Sequence, residues 1–334
     1  GAKNLSSGGR GMNQKQHETQ QPQVPKIGHG DVVISARRIS LWYGPVIGIN
    51  NISVDLCQGV IGLLGPNGAG KSTLMKCLTG QLTPKTGTVS ILKKNIHTDA
   101  SVFMQIGLVP EQDAFYEDMS ALQFVTYLTR LQGFTAHDAE KLAKDALGEV
   151  ALTDRQNDAI RSFSKGMRQR VKIAQALAHK PNVLFLDEPL TGTDPIGRRH
   201  IIDLVKKMGD ENKTVIVSSH VLHEVEQMTS DIMLINRGRI LADGNVYHIR
   251  NMIDDHPHSI NLEVSEPRRF AALLAEYEDI VSIEFTSRGL QVATKKPDEC
   301  YARIPALALD HNITLHAMSS PDNNLMAVFK YLVN

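Results

Sequence analysis

The segment Gly65-Pro66-Asn67-Gly68-Ala69-Gly70-Lys71-Ser72-Thr73 constrains this chain more than any other. It follows directly on the apolar run Val60-Ile61-Gly62-Leu63-Leu64 and leads into Leu74-Met75-Lys76-Cys77-Leu78. The pattern is G-x-x-x-x-G-K-S in strand, loop, helix order. Glycines let the backbone curl so that successive N–H groups point inward, and the next helix adds its positive N-terminal dipole, so the loop is built to hold phosphate. Lys71 is placed to reach β- and γ-phosphates. Ser72 can offer its hydroxyl to Mg²⁺, which takes most of its other oxygen ligands from phosphate and water.

A second acidic segment agrees with the first. Asn182-Val183-Leu184-Phe185-Leu186-Asp187-Glu188-Pro189 is an apolar strand ending in two carboxylates, at the sheet edge where ligands of open α/β folds bind. Asp187 would hold Mg²⁺ directly or through water, and Glu188 would orient and polarise the attacking water. Taken alone, Asp-Glu after a strand is an ordinary loop start or helix cap; beside a phosphate loop it reads as a hydrolytic pair.

The bulk numbers exclude several classes. Lys+Arg number 36 and Asp+Glu 36, so no global charge holds the chain on nucleic acid or an anionic membrane. At 334 residues the chain is long enough for two domains, and its 42% hydrophobic content is enough for a real core, but no uncharged apolar run has the length of a membrane span. The chain reads as soluble. Cys57, Cys77 and Cys300 lie far apart without metal or disulfide spacing and read as small buried hydrophobes.

Residues 1–30 are rich in Gly, Ser, Gln and Pro and read as a disordered tail, with 1–11 a leader foreign to the native chain and Met12 its start. From 31 to 248, strand-like runs alternate with helical segments, which predicts a mainly parallel sheet covered by helices. A helical lobe is expected over about 115–180. Residues 250–334 read as βαββαβ, with strands 259–264, 281–285, 290–294 and 312–317 and helices 267–277 and 298–308, which predicts a ferredoxin-like accessory or regulatory domain. An amphipathic helix is expected at 323–332.

Phosphate loops with acidic strands serve kinases, GTPases and motors alike. Ser162-Phe163-Ser164-Lys165-Gly166-Met167-Arg168-Gln169-Arg170, which opens a helix ending at Lys180-Pro181, narrows the choice. It resembles the L-S-G-G-Q signature of ATP-binding cassette (ABC) proteins, and the resemblance covers 31 to about 248. It implies an α/β P-loop ATPase that binds ATP and Mg²⁺. In that family Ser164, Lys165, Gly166 and Met167 cap the γ-phosphate of the opposing subunit, so a second copy is needed. Lys165 and Met167 depart from the consensus; similar S-K-G-M variants occur in exporter-type cassettes whose membrane subunit is a separate chain.

The resemblance implies further roles. Tyr43, in Leu41-Trp42-Tyr43-Gly44, corresponds to an aromatic stacked on adenine, with a core aromatic as the alternative. Asp194, in Thr191-Gly192-Thr193-Asp194, corresponds to the D-loop residue that crosses the dimer interface, with a helix cap as the alternative. His220 stands where the family places its switch histidine. At the Q-loop, Glu111 occupies the usual Gln position and Gln112 follows it; either could approach Mg²⁺ or water, and the residues after them would dock a partner.

These features imply the ATP-hydrolysing subunit of an ABC transporter, an exporter in direction, bound to the cytoplasmic side of the membrane through an integral membrane permease, with no nucleic-acid partner. A soluble mechanical or regulatory cassette ATPase is the alternative; long coiled-coil insertions or a second cassette would mark it. A P-loop kinase leaves Ser164 and His220 without a purpose.

Overall fold

The computed structural model describes residues 24–246 and 257–320, which form two sheets with separate cores. The first is organised around a single long strand. In chain order its early strands are β1 (Lys26–Ile27), β2 (His29–Tyr43), β3 (Val46–Leu64), β4 (Thr86–Ile91) and β5 (Lys94–Asn95). The first half of β3 pairs antiparallel with β2, while Gly59–Leu64 pairs parallel with β8 (Thr214–Ser219). β3 therefore belongs to two layers at once, an antiparallel one (β5-β4-β2-β3) and a parallel one (β3-β8-β7-β6) completed by β6 (Ile106–Val109) and β7 (Val183–Asp187). β9 (Asp231–Asn236) pairs parallel with β3, and β10 (Arg239–Asn245) pairs antiparallel with β9. The expected parallel core is present, extended by an antiparallel layer.

β7 shows why its sequence is apolar throughout. Val183 and Phe185 join the core containing Leu74 and Met75 of α1 (Lys71–Leu78), whereas Leu184 and Leu186 join the core on the opposite face. A strand covered on both faces has no polar side. Each large side chain buried there contributes about 1.5–3 kcal/mol. That opposite core is shared with α2 (Ala121–Leu131), α3 (Ala136–Glu149), α4 (Lys165–Leu177) and α5 (Pro195–Asp210). Ser120, Thr135, Ser164 and Asp194 each accept a backbone N–H at the start of these four helices, which sets where the helices begin. A short α6 (Leu222–Glu226) follows β8. Among the described residues no helix is long and apolar enough to cross a membrane, and all three cysteines are buried.

One boundary differs from the sequence reading. Residues 26–27 and 29–30, expected to belong to the tail, are in strands: β1 pairs parallel with Asp55–Leu56, and Ile27 is completely buried. An isoleucine between Lys26 and Gly28 carries no periodic signal, so only the register with β3 reveals it. Residues 1–23 and the helix expected at 323–332 lie outside the described residues.

The second sheet contains β11 (His258–Val264), β12 (Ile280–Thr286), β13 (Gly289–Thr294) and β14 (Leu315–Ser319), with α7 (Pro267–Leu274) and α8 (Pro297–Asp310). All pairs are antiparallel in the order β12-β13-β11-β14, the ferredoxin-like arrangement expected of βαββαβ. Phe270, Leu274, Cys300 and Ile304 on the helices pack against Ile260, Leu262 and Val292.

Candidate active site

The phosphate loop joins β3 to α1. Gly70, the N-cap of α1, has φ of 109°, and a Cβ there would come within 2.5 Å of the Gly48 carbonyl oxygen, so conformation and space both require glycine. Ala69 is buried beneath the loop, while Asn67 and Gly68 are exposed. Lys71 is 7% exposed and its Nζ donates to the carbonyls of Gly65 (2.8 Å) and Pro66 (3.3 Å). Burial pulls its pKa down, opposed by the carboxylates of Glu188, Asp187 and Glu111. A desolvated ammonium held by loop carbonyls is poised for an anion with more charge to offer.

Asp187 and Glu188 sit at the C-terminal end of β7, where the adjacent β8 supplies a residue the sequence reading assigned no role. The Ser218 hydroxyl, fully buried, donates to Asp187 Oδ1 and accepts the Glu188 N–H at 3.0 Å. Glu188 has φ of 50°, a left-handed conformation costing a non-glycine residue about 1–2 kcal/mol. Ser218 holds that turn in place. The Glu188 carboxylate meets His220, with Nδ1 to Oε2 at 2.9 Å. Burial raises the Glu188 pKa, and the His220 contact and Lys71 only partly offset it. Small polar residues closing an otherwise apolar strand, Ser218-Ser219 after Val215-Ile216-Val217, are the local signal that marks this support. Ser218→Ala should lower kcat about 10- to 100-fold, the scale of a sub-ångström misplacement, while circular dichroism stays unchanged. Wild-type turnover would refute the role.

These groups converge. A cavity of about 500 Å³ is lined by Tyr43, by Asn67, Gly68 and Gly70–Thr73 of the loop, and by Glu111, Glu188 and His220. A smaller one of about 160 Å³ is lined by Ser72, Asp187, Glu111 and Gln112 among others, so Ser72 and Glu111 face both. Tyr43 is not a core aromatic: it is 49% exposed, with its hydroxyl 3.5 Å from Thr73 Oγ1. Gly48 makes room for it, because a Cβ there would lie 3.0 Å from the tyrosine ring. Ser164, Lys165, Gly166, Met167 and Asp194 do not line either cavity. They form their own neighbourhood, with Ser164, Lys165 and Asp194 exposed and Gly166 and Met167 half-buried: Ser164 caps α4 by accepting from the Met167 N–H at 3.3 Å, Asp194 caps α5, and Gly166 faces the Thr193–Asp194 backbone.

The oxygen donors of Ser72 and Asp187 suit Mg²⁺, a hard cation. Among the described residues no group of three His, Cys, Asp or Glu could hold a metal ion.

A phosphate loop, an acidic strand end and a carboxylate–histidine pair around one cavity define a P-loop nucleotide hydrolase. Residues 49–191 match the ABC transporter family. The chain is 31% identical over 302 residues to the linearmycin resistance ATP-binding protein LnrL of Bacillus subtilis, covering 89% of this chain and 97% of that protein. It is 35% identical over 229 residues to the bacitracin transport ATP-binding protein BcrA of Enterococcus faecalis, covering 66% and 72%. Among solved structures, CbiO1 of Clostridium perfringens, part of an ABC transporter complex, superposes with a TM-score of 0.59 at 26% identity, covering 67% of this chain and 94% of that one. The chain belongs to the ATP-binding subunits of ABC transporters, and is an ATPase.

Proposed function

We propose that two copies of this chain close on two Mg-ATP molecules and drive a separate membrane permease, in the export direction, from the cytoplasmic side of the membrane. One observation carries the dimeric reading: Lys71, Glu188 and His220 line the nucleotide cavity, yet the Ser164-capped start of α4 stays outside it and exposed. A helix N-terminus is a ready anion site. Two copies facing each other would place it, with Ser164–Met167 and Asp194, on the γ-phosphate held by the other. A dimeric bacterial ABC cassette of the same fold, with a TM-score of 0.60 at 23% identity and coverage of 64% of this chain and 98% of that one, supports the arrangement.

In this scheme Tyr43 stacks on adenine beside the exposed Val46 and Ile47. The loop N–H groups and Lys71 hold phosphate; Ser72 and Asp187 would hold Mg²⁺, which would supply positive charge against the phosphates. Glu188 polarises the attacking water, and His220 holds the Glu188 carboxylate in place. LnrL and BcrA, named for linearmycin resistance and bacitracin transport, favour export.

The permease contact falls on the helical lobe after Gln112. There Tyr116, Tyr127 and Leu131 are 56%, 39% and 67% exposed, and Tyr116 meets Phe124 and Tyr127 edge-on. Exposed aromatics in the segment that follows Gln112 suit a docking surface. Tyr116→Asp should abolish co-purification with a membrane protein from detergent extracts while ATP binding stays at wild-type level. Retained co-purification would move the contact elsewhere.

Residues 250–334 are proposed as an accessory domain, because the core of β11–β14 shares no residue with the other two. Deleting them should leave nucleotide affinity unchanged, as for a domain with its own core. Isothermal titration of the folded truncation checks this, and lost binding would show the units are interdependent.

A further inference from the structure

Side chains from α4 and its end reach across to the free edge of β6. That strand closes the parallel layer and, among the described residues, pairs on one side only, with β7, so the carbonyls on its other edge need partners. His179 Nε2 lies 2.9 Å from the Ile106 carbonyl, Gln175 Nε2 donates to Leu108 at 2.8 Å, and Lys172 Nζ donates to Pro110 and Glu111, each at 3.0 Å. Helical steps of three and four residues put 172, 175 and 179 on one face, while steps of two along a strand put alternate carbonyls on one edge. Helix and strand run in opposite directions, so Lys172 meets the chain where β6 ends and the Glu111–Gln112 segment begins.

Gln175 and His179 already serve the strand itself. Lys172 is 5% exposed and spends its ammonium on the segment beyond, where Asp113 Oδ1 also lies 2.9 Å away. One turn earlier Arg168 makes a two-pronged pair with Glu117, closing a second clamp on the same stretch. A buried ammonium must have its donors satisfied, and all of its partners here fall within residues 110–113.

We propose that Lys172 is the positioning residue of the Glu111–Gln112 segment, fastening it to α4 so that the two move as one body. The proposal rests on the ATPase reading above. Glu111 faces the nucleotide cavity and Gln112 the smaller cavity with Ser72 and Asp187, while Ser164 opens the same helix about 12 Å away at 1.5 Å per residue. Whatever moves the Ser164 end therefore also moves Glu111 and Gln112 at the chain's own site. Through this lysine, engagement of the second copy is reported to the first copy's site.

The test uses the full chain with Lys172→Met, Lys172→Arg and, as a structural control, Gln175→Leu, which removes a bond to the strand and not to the segment. Amide hydrogen exchange without nucleotide should quicken over residues 111–118 in Lys172→Met alone, with the β6 amides unchanged. With Mg-ATP, kcat should fall about 10- to 100-fold with KM for ATP nearly constant and a higher Mg²⁺ requirement. Lys172→Arg should recover most of the loss, and Gln175→Leu should keep kcat at a matched melting temperature. Unchanged exchange over 111–118, or a kcat loss no larger than that of Gln175→Leu, would overturn the proposal. If Lys172→Met does not fold, Asp113→Ala removes a partner of the same ammonium and is read by the same criteria. Failure of the wild-type chain to hydrolyse Mg-ATP would remove the ATPase reading instead, and exchange would still decide whether Lys172 holds the segment.

Discussion

Glu188→Gln should nearly stop ATP hydrolysis while leaving ATP bound. The substitution keeps the size of the side chain and an oxygen that can meet His220, but removes the negative charge that polarises water, a contribution of about 10²- to 10⁴-fold. Binding should persist because Lys71, Ser72 and Asp187 are untouched. The trapped product is then a pair of chains closed on two nucleotides, and sedimentation should show a mass approaching twice 36.8 kDa only with Mg-ATP. Adding Ser164→Arg should weaken that association by obstructing the facing helix start. If the resting protein is already dimeric, a distance probe between the two phosphate loops replaces sedimentation. A variant that binds ATP but neither associates nor closes would defeat the facing-copy scheme and point to a monomeric phosphotransferase. The pH dependence has a definite sign. Hydrolysis needs the Glu188 carboxylate, and burial raises its pKa, so activity should rise with pH through a value above that of an ordinary glutamate, and the Glu188→Gln residue activity should lack this limb.

Lys71→Ala should remove most ATP binding or turnover with the fold intact. Charge-assisted hydrogen bonds contribute about 1.5–3 kcal/mol each, so losing contacts to two phosphates predicts a loss of about 10²-fold or more. The fold should survive because Lys71 opens α1 with its ammonium directed at loop carbonyls, while Leu74, Met75 and Leu78 make the helix's core contacts. Alanine is also the best helix former. ATPase assay with thermal melting decides the matter, and wild-type turnover by a well-folded variant would sink the phosphate-site assignment.

The parts of this protein legible in its sequence are those written by local rules. The phosphate loop is a continuous nine-residue segment between an apolar strand and a helix, β7 is apolar because both its faces are covered, and Ser164, Asp194 and Ser120 are caps at helix starts. The βαββαβ order of the second sheet was likewise readable from alternating periodicities, to within a few residues at the ends of α7 and β14. The tertiary structure decided whatever depends on which distant segments meet. The place of Ile27 depends on β3, and the exposure of Tyr43 depends on Gly48 and Thr73. Ser218 acquires its role only because β8 lies beside β7, bringing its hydroxyl to both Asp187 and the strained Glu188 backbone. Lys172 looks from the sequence like one more charge in a basic helix; burial beside an unpaired strand edge makes it a clamp. Short-range patterns record what each segment must bury, but hydrogen bonds between segments are set by strand order and register, which no local pattern encodes.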